Sequence, residues 1–156
     1  MWVYSKNSTV FQYVTELGKR SLDKMIAIVE NINAENNSRF SPDYYTANTW
    51  LNTSWTQNQW THLVYTYDGT TVLVYQNGAL IGSQTKALNL TDLGFVVGTY
   101  HGVGGAWFNG SLDEIALWNR TLTATEVALL YNDGDGCAYG NETCYGILPT
   151  PIITLN

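Results

Sequence analysis

Charge is scarce in this chain. Charged side chains make up 13% of its 156 residues, with seven Lys and Arg against thirteen Asp and Glu, a net charge of −6. Binding nucleic acid or anionic lipid requires clustered positive charge. The seven basic residues are spread along the sequence and form no such patch, so no nucleic-acid partner is expected. Long apolar runs are also missing. The longest, Met25–Val29, falls far short of the roughly 20 residues a bilayer-spanning helix needs, so no membrane insertion is expected. No signal peptide is read at the amino terminus, because Met1 is followed at once by the strand-like Trp2-Val3-Tyr4. Histidine is limited to His62 and His101, and neither H-E-x-x-H nor C-x-x-C occurs, which argues against zinc.

Aromatic and β-branched residues are what the chain does have. Six Trp, eleven Tyr and four Phe stand among frequent Thr, Val and Ile, the residue types that suit pleated, half-buried surfaces. Fourteen Gly and many Asn supply the positive-φ positions of tight hairpins. Strands are expected at Met1–Ser5, Thr9–Glu16, Lys24–Ile32 and Asp43–Trp50, with loops at Leu17–Lys24 and Ala34–Pro42. A three-strand meander follows, Trp60–Tyr67, Thr70–Gln76 and Ala79–Ser83, turned at Asp68-Gly69 and Asn77-Gly78. Phe95–Tyr100 and Ser111–Trp118 read as two further strands around the Gly-rich loop His101–Gly110. One helix stands out. Thr123 and Glu126 have capping-box spacing ahead of Val127, Leu129, Leu130 and Tyr131, and Gly134 closes it. The pattern is all-β, an antiparallel sandwich of two sheets with one short C-terminal helix. Residues 1–134 form the domain, and 135–156 read as a tail or linker.

Particular motifs then sharpen this reading. Trp60-Thr61-His62, Tyr67-Asp68-Gly69, Tyr75-Gln76-Asn77-Gly78, Phe108-Asn109-Gly110-Ser111-Leu112-Asp113-Glu114 and Asn119-Arg120-Thr121-Leu122-Thr123-Ala124-Thr125-Glu126 occur in register over Trp60–Tyr131. Together they resemble the laminin-G-like, concanavalin A-like jelly-roll domains, and Trp2–Lys6 resembles an earlier strand of that family. The resemblance implies a jelly-roll sandwich in which Phe108 and Trp60 point inward. It also implies strands ahead of this point, one of them pairing with the last strand. These are absent here, so the domain reads as N-terminally truncated. An incomplete sheet offers an edge for pairing with another chain or segment.

Hydrolysis is weighed first, because some sandwiches of this kind are glycosidases. Such sites present paired carboxylates at alternating strand positions. Residues 111, 113 and 115 are Ser, Asp and Ile, and the adjacent Asp113 and Glu114 would face opposite ways. No enzyme is expected. Calcium enters through the resemblance, which carries a ligand role onto Asp113; the alternative is that Asp113 bonds backbone amides or pairs with Arg120. Sugar recognition needs exposed aromatic faces beside planar polar groups. The loop from Tyr100 to Trp107 is the best candidate, with Tyr100, His101, Trp107 and Asn109 as ligand-binding residues. The alternative is that Tyr100 and Trp107 merely cap the sandwich. His62 is read as a hydrogen-bonded strand histidine, and Trp55 lies in a polar loop with no evident role.

Cys137 and Cys144 are the two ends of an eight-residue segment in an otherwise cysteine-free chain, which points to a small disulfide loop formed in an oxidising compartment. Two free thiols are the alternative. Seven N-x-S/T sequons, at Asn7, Asn36, Asn52, Asn89, Asn109, Asn119 and Asn141, exceed the about three that chance would give for this composition. Both features point to an extracellular or cell-surface protein. The function expected is a non-catalytic carbohydrate-binding or adhesion module whose partner is a glycan or a surface protein. A structural or protein-interaction domain is the alternative, and a glycoside hydrolase ranks third.

Overall fold

Two five-stranded antiparallel sheets carry most of the strands. The computed structural model describes residues 1–6, 10–18, 25–30, 38–41, 51–53, 55–90, 94–99, 105–137, 148 and 150–155. In chain order the strands are β1 (Trp2–Ser5), β2 (Gln12–Gly18), β3 (Met25–Glu30), β4 (Ser38–Ser41), β5 (Leu51–Thr53) and β6 (Trp60–Tyr67). They continue with β7 (Thr71–Gln76), β8 (Ala79–Thr85), β9 (Phe95–Val97), β10 (Gly110–Asp113), β11 (Ile115–Leu117) and β12 (Ile153–Leu155). The helix α1 (Ala124–Tyr131) lies between β11 and β12. One sheet has the order β10-β1-β6-β7-β8, the other β5-β4-β3-β2-β9, and β11 pairs with β12. The expected all-β sandwich with one short late helix is the observed architecture.

Val3, Val14, Ile26, Ile28, Trp55, Leu63, Val72 and Val74 interdigitate as the core between the sheets. Burying a Val, Leu or Ile side chain is worth about 1.5–3 kcal/mol, so this layer is the main source of cohesion. The outer face of the first sheet is also covered. Val64 and Tyr75 pack there against Leu122, Val127, Leu130, Cys137 and Leu148. Double-sided cover explains why β6 shows four successive buried residues, Thr61–Val64, instead of the alternation of a half-exposed strand. The approach of helix to sheet is close. A Cβ on Gly78 would lie 3.0 Å from the Tyr131 ring.

The capping box forms as its spacing predicts, with Thr123 accepting from the Glu126 amide and the Glu126 side chain reaching back to the cap. Asn132, at φ 49, ends α1 before Gly134, which closes a following 3-10 turn. Asn77 (φ 50) and Gly78 (φ 77) are both left-handed, as a type I′ turn demands. At Asp68-Gly69 only Gly69 is left-handed (φ 100), and the Asp68 carboxylate holds the turn by accepting from the amides of Thr70 and Thr71.

Several expectations need correction. The loop expected over Ala34–Pro42 contains β4, which pairs with β3. β2 begins at Gln12, later than expected, is buried at every residue and runs to Gly18, with a bulge between Tyr13 and Thr15. The continuous strand expected over Ser111–Trp118 is broken at Glu114, whose φ of 48 ends β10 and turns the chain away from the first sheet. The stretch 135–156, expected as a tail, supplies β12, which pairs with β11 in a two-stranded sheet of its own. Asp43–Trp50 lies outside the described residues.

Candidate functional site

The segment Gly105–Asn109 crosses from one sheet to the other at an end of the sandwich. Its carbonyl at Ala106 accepts from the Tyr13 amide of β2 at 3.1 Å, and the Phe108 amide donates to Gly98 at 2.8 Å. The Asn109 carbonyl accepts from Lys6, just past β1, at 2.9 Å. Alternation along this extended stretch sends Phe108 inward against the core and leaves Trp107 and Asn109 outward. Trp107 is 66% exposed. A rigid backbone therefore presents a bare indole face to solvent, with an amide side chain two residues away. Gly110 is required where β10 begins, because a Cβ there would collide with the Tyr4 carbonyl and lie 2.7 Å from the Phe108 ring.

Beneath this rim lies a buried polar cluster. Ser5 and Gln12 have no exposed surface and Glu30 almost none. The Ser5 hydroxyl, from the first sheet, donates to both oxygens of the Glu30 carboxyl, from the second. The Gln12 amide nitrogen donates to Glu30 Oε2 at 3.0 Å, and its oxygen accepts from the Asn109 backbone amide at 2.5 Å. Burial pushes the Glu30 carboxyl above its ordinary range, against hydrogen bonds from Ser5 and other neutral side chains that favour the charge. The backbone joins in as well, the Asn58 amide donating to the Ser5 carbonyl at 2.7 Å.

Of the residues expected to bind ligand, Trp107 and Asn109 lie together on this rim, and Tyr100 and His101 lie outside the described residues. Asp113 is elsewhere. It pairs with Trp2 at the opposite end of β10 from Gly110, which pairs with Ser5. Its carboxylate accepts from the Glu114 amide at 2.8 Å, while Arg120, its other expected partner, pairs with Glu126 instead. Calcium needs six to eight oxygen ligands. Among the described residues Asp113 belongs to no group of three or more potential metal ligands. Cys137 is buried under α1, and Cys144 lies outside the described residues.

Three aromatic expectations are revised. Trp60, expected in the core, is 46% exposed and packs on Tyr4 at a ring separation of 5.5 Å, because it faces the outer side of the first sheet beyond the reach of α1. Trp55, without a role in the sequence reading, is 5% exposed and lies in the central core. His62 is sandwiched between Trp2 at 5.0 Å and Tyr131 at 6.0 Å, and its Nδ1 has no hydrogen-bond partner. It is the hydrogen-bonded strand histidine expected, but through its backbone: its amide donates to Asn77 Oδ1 and its carbonyl accepts from the Asn77 amide, each at 2.9 Å. Burial, with a smaller contribution from the Met1 amine, lowers its pKa to about 2.

Ser5, Gln12 and Glu30 were not singled out from the sequence. The signal was there for Glu30, a carboxylate that follows five apolar residues without leaving the strand. Nothing comparable marks Ser5.

Comparison with known proteins places this geometry in context. The laminin-G sequence profile described as the concanavalin A-like lectin/glucanases superfamily matches residues 1–128. A heptameric SAP-like pentraxin from Limulus polyphemus superposes with a TM-score of 0.61 at 16% identity, over 83% of this chain and 66% of its own. A candidate carbohydrate-binding protein of Bacteroides ovatus gives 0.61 at 15% identity, over 81% and 38%. Domain 4 of AbnA, a GH43 extracellular arabinanase from Geobacillus stearothermophilus, was solved with arabinotriose and gives 0.55 at 20% identity, over 81% and 62%. At such identities the likeness establishes the fold, and the chain spans about two thirds or less of each of these structures. No curated protein matches the sequence.

Proposed function

This chain belongs to the concanavalin A-like lectin/glucanase superfamily, and within it we propose a non-catalytic carbohydrate-binding module of a secreted or cell-surface protein. One observation carries this reading: the indole of Trp107, 66% exposed, on a segment pinned to both sheets. An indole combines an apolar face with a polar N–H, which suits a surface that is part apolar and part wet. A sugar ring offers an apolar face for the indole and hydroxyls for the Asn109 amide. The fold is shared with an arabinanase domain solved with arabinotriose, which makes arabino-oligosaccharides a rational first probe.

The non-catalytic part of the proposal draws support from the acidic pair. The Glu114 carboxylate is engaged by the Trp2 indole and the Cys137 amide, and Asp113 by the Glu114 amide. Neither stands opposite the other across a cleft, as a hydrolytic pair must. A surface location is supported by the sequons at Asn89 and Asn119, both exposed. It is supported again by Cys137, which is not a free thiol, in keeping with a Cys137–Cys144 disulfide.

Affinity electrophoresis against a panel of polysaccharides, arabinan included, tests the proposal. At least one should retard the wild-type protein, and Trp107→Ala should abolish that retardation. Absence of retardation across the panel, or retardation that survives the substitution, refutes it. The second reading, a protein-interaction domain without a small ligand, is favoured by β8. This sheet-edge strand exposes 55% of Leu80 and 43% of Ile81. Sedimentation velocity at micromolar concentration would then report a dimer that Leu80→Lys dissolves.

A further inference from the structure

The ligand reading uses Trp107 and Asn109 and leaves the buried cluster behind them unexplained. A carboxyl enclosed between two sheets is costly unless something requires it. We propose that Glu30, acting through Gln12, is the positioning group of the rim: it fixes the Gln12 amide so that its oxygen captures the Asn109 N–H and holds the backbone that displays Trp107.

The geometry makes the relay directional. An amide side chain has a donor end and an acceptor end. The Gln12 nitrogen is spent on Glu30 Oε2 at 3.0 Å, which leaves its oxygen facing the Asn109 amide at 2.5 Å. The reversed amide would set its own N–H groups against the Asn109 N–H and its oxygen against the Glu30 carboxyl. An acceptor at position 30 therefore selects the orientation that binds Asn109. Ser5 secures the carboxyl from the other sheet, so the relay spans the sandwich. The side chains grouped around Glu30, from Ser5, Gln12, Trp55 and Gln57, are neutral, and none competes with Gln12 as a cation would.

Asn109 is the residue where such control matters. Its carbonyl is tied to Lys6 at 2.9 Å and the preceding Phe108 amide to Gly98 at 2.8 Å, so the Asn109 N–H is the bond between these two anchors. Releasing it frees the turn of backbone that carries Trp107. Only in treating Trp107 as the ligand platform does the inference rest on the proposed function; the relay itself can be tested without any ligand.

Site-resolved amide hydrogen exchange on the full chain is that test, with Glu30→Gln, Glu30→Leu and Gln12→Met. Glu30→Gln keeps an acceptor oxygen and should leave exchange at Asn109 near the wild-type rate. Glu30→Leu and Gln12→Met should each accelerate it by about tenfold, the loss of one hydrogen bond, while the amides of Ala27 and Ile28 in the centre of β3 keep their protection. Gln12→Met leaves the carboxyl and its Ser5 bond intact, so it remains informative if Glu30→Leu does not fold. Unchanged exchange at Asn109 in Gln12→Met overturns the inference, as does failure of Glu30→Gln to restore it. A polysaccharide panel that shows no binding beside this exchange pattern would remove the ligand reading alone.

Discussion

The indole N–H of Trp2 donates to the Glu114 carboxylate at 3.1 Å, joining the second residue of the chain to the point where β10 gives way to β11. The same carboxylate oxygen accepts from the Cys137 amide at 3.3 Å, so one side chain ties β1 to the segment that follows α1. Glu114 holds this place at φ 48, in the left-handed region. Gly136 lies against it, where a Cβ would sit 2.9 Å from the Trp2 Nε1 and 3.1 Å from Glu114 Oε2. The interaction is bought with backbone strain, which implies that the contacts outweigh it.

Two substitutions at this position separate contact from strain. Glu114→Ala removes both hydrogen bonds and keeps the left-handed backbone, and should lower stability by about 1–3 kcal/mol. Glu114→Gly removes the same bonds and relieves the backbone, so it should recover about 1 kcal/mol of that loss. Urea unfolding with an unchanged m value measures both. Equal losses would mean that the left-handed backbone carries no strain worth counting.

The two tryptophans that exchanged roles make a second test. Trp55 is 5% exposed in the central core, whereas Trp60 is 46% exposed on the outer face. Trp55→Ala should cost about 3–5 kcal/mol through the cavity it leaves. Trp60→Ala forfeits little beyond its contact with Tyr4, about 0.5–1.5 kcal/mol. Thermal unfolding of the pair distinguishes them, and comparable losses would contradict the burial pattern.

Local signals were legible in this sequence because local physics produces them. Asn77-Gly78 reads as a type I′ turn since only small or amide side chains sit well at positive φ, and Thr123 with Glu126 reads as a capping box since helix amides need acceptors. Tertiary cover was not legible. Trp60 and His62 share one face of β6, yet α1 covers His62 and stops short of Trp60, a difference no alternation pattern encodes. Glu114 looked like a strand residue because nothing in its neighbours announces a change of sheet. On the rim, Trp107 followed from its place beside the inward Phe108, whereas the Ser5–Glu30 contact joins residues of different sheets and has no local signature.

The helix cap yields a third expectation. Thr123 accepts from the Glu126 amide at 3.3 Å, and the Glu126 carboxylate accepts from the Thr123 amide at 2.7 Å and from Arg120 Nη1 at 3.1 Å. Thr123→Ala should cost about 1 kcal/mol of stability, the usual value of an N-cap. Because Val127 and Leu130 of this helix lie over Val64 and Tyr75, the loss should be seen in global unfolding and not merely as fraying. Circular dichroism in urea checks it. A substitution that left the midpoint unmoved would mean that tertiary packing alone sets the helix start.

Glu30 and His62 bias stability in opposite directions with pH. The buried carboxyl of Glu30 is raised from 4.5, so the folded state holds the proton longer than the unfolded one. Its contribution is fully present below pH 4.5 and is lost as pH rises through the folded value. His62 is lowered from 6.5 to about 2, so the unfolded state takes up the proton first and stability falls as pH drops below 6.5. Burial likewise lowers the Met1 amine from 8.0 to about 5, which adds to the His62 slope between those values, while Glu30 opposes both just above 4.5. Each substitution exposes the other group. Glu30→Gln should leave a protein whose stability rises more steeply with pH than the wild type's just above 4.5. His62→Phe keeps the ring between Trp2 and Tyr131 and should leave one whose stability rises less steeply with pH below 6.5 than the wild type's. Slopes unchanged from the wild type in both variants would show that these buried groups do not govern the pH dependence of the fold.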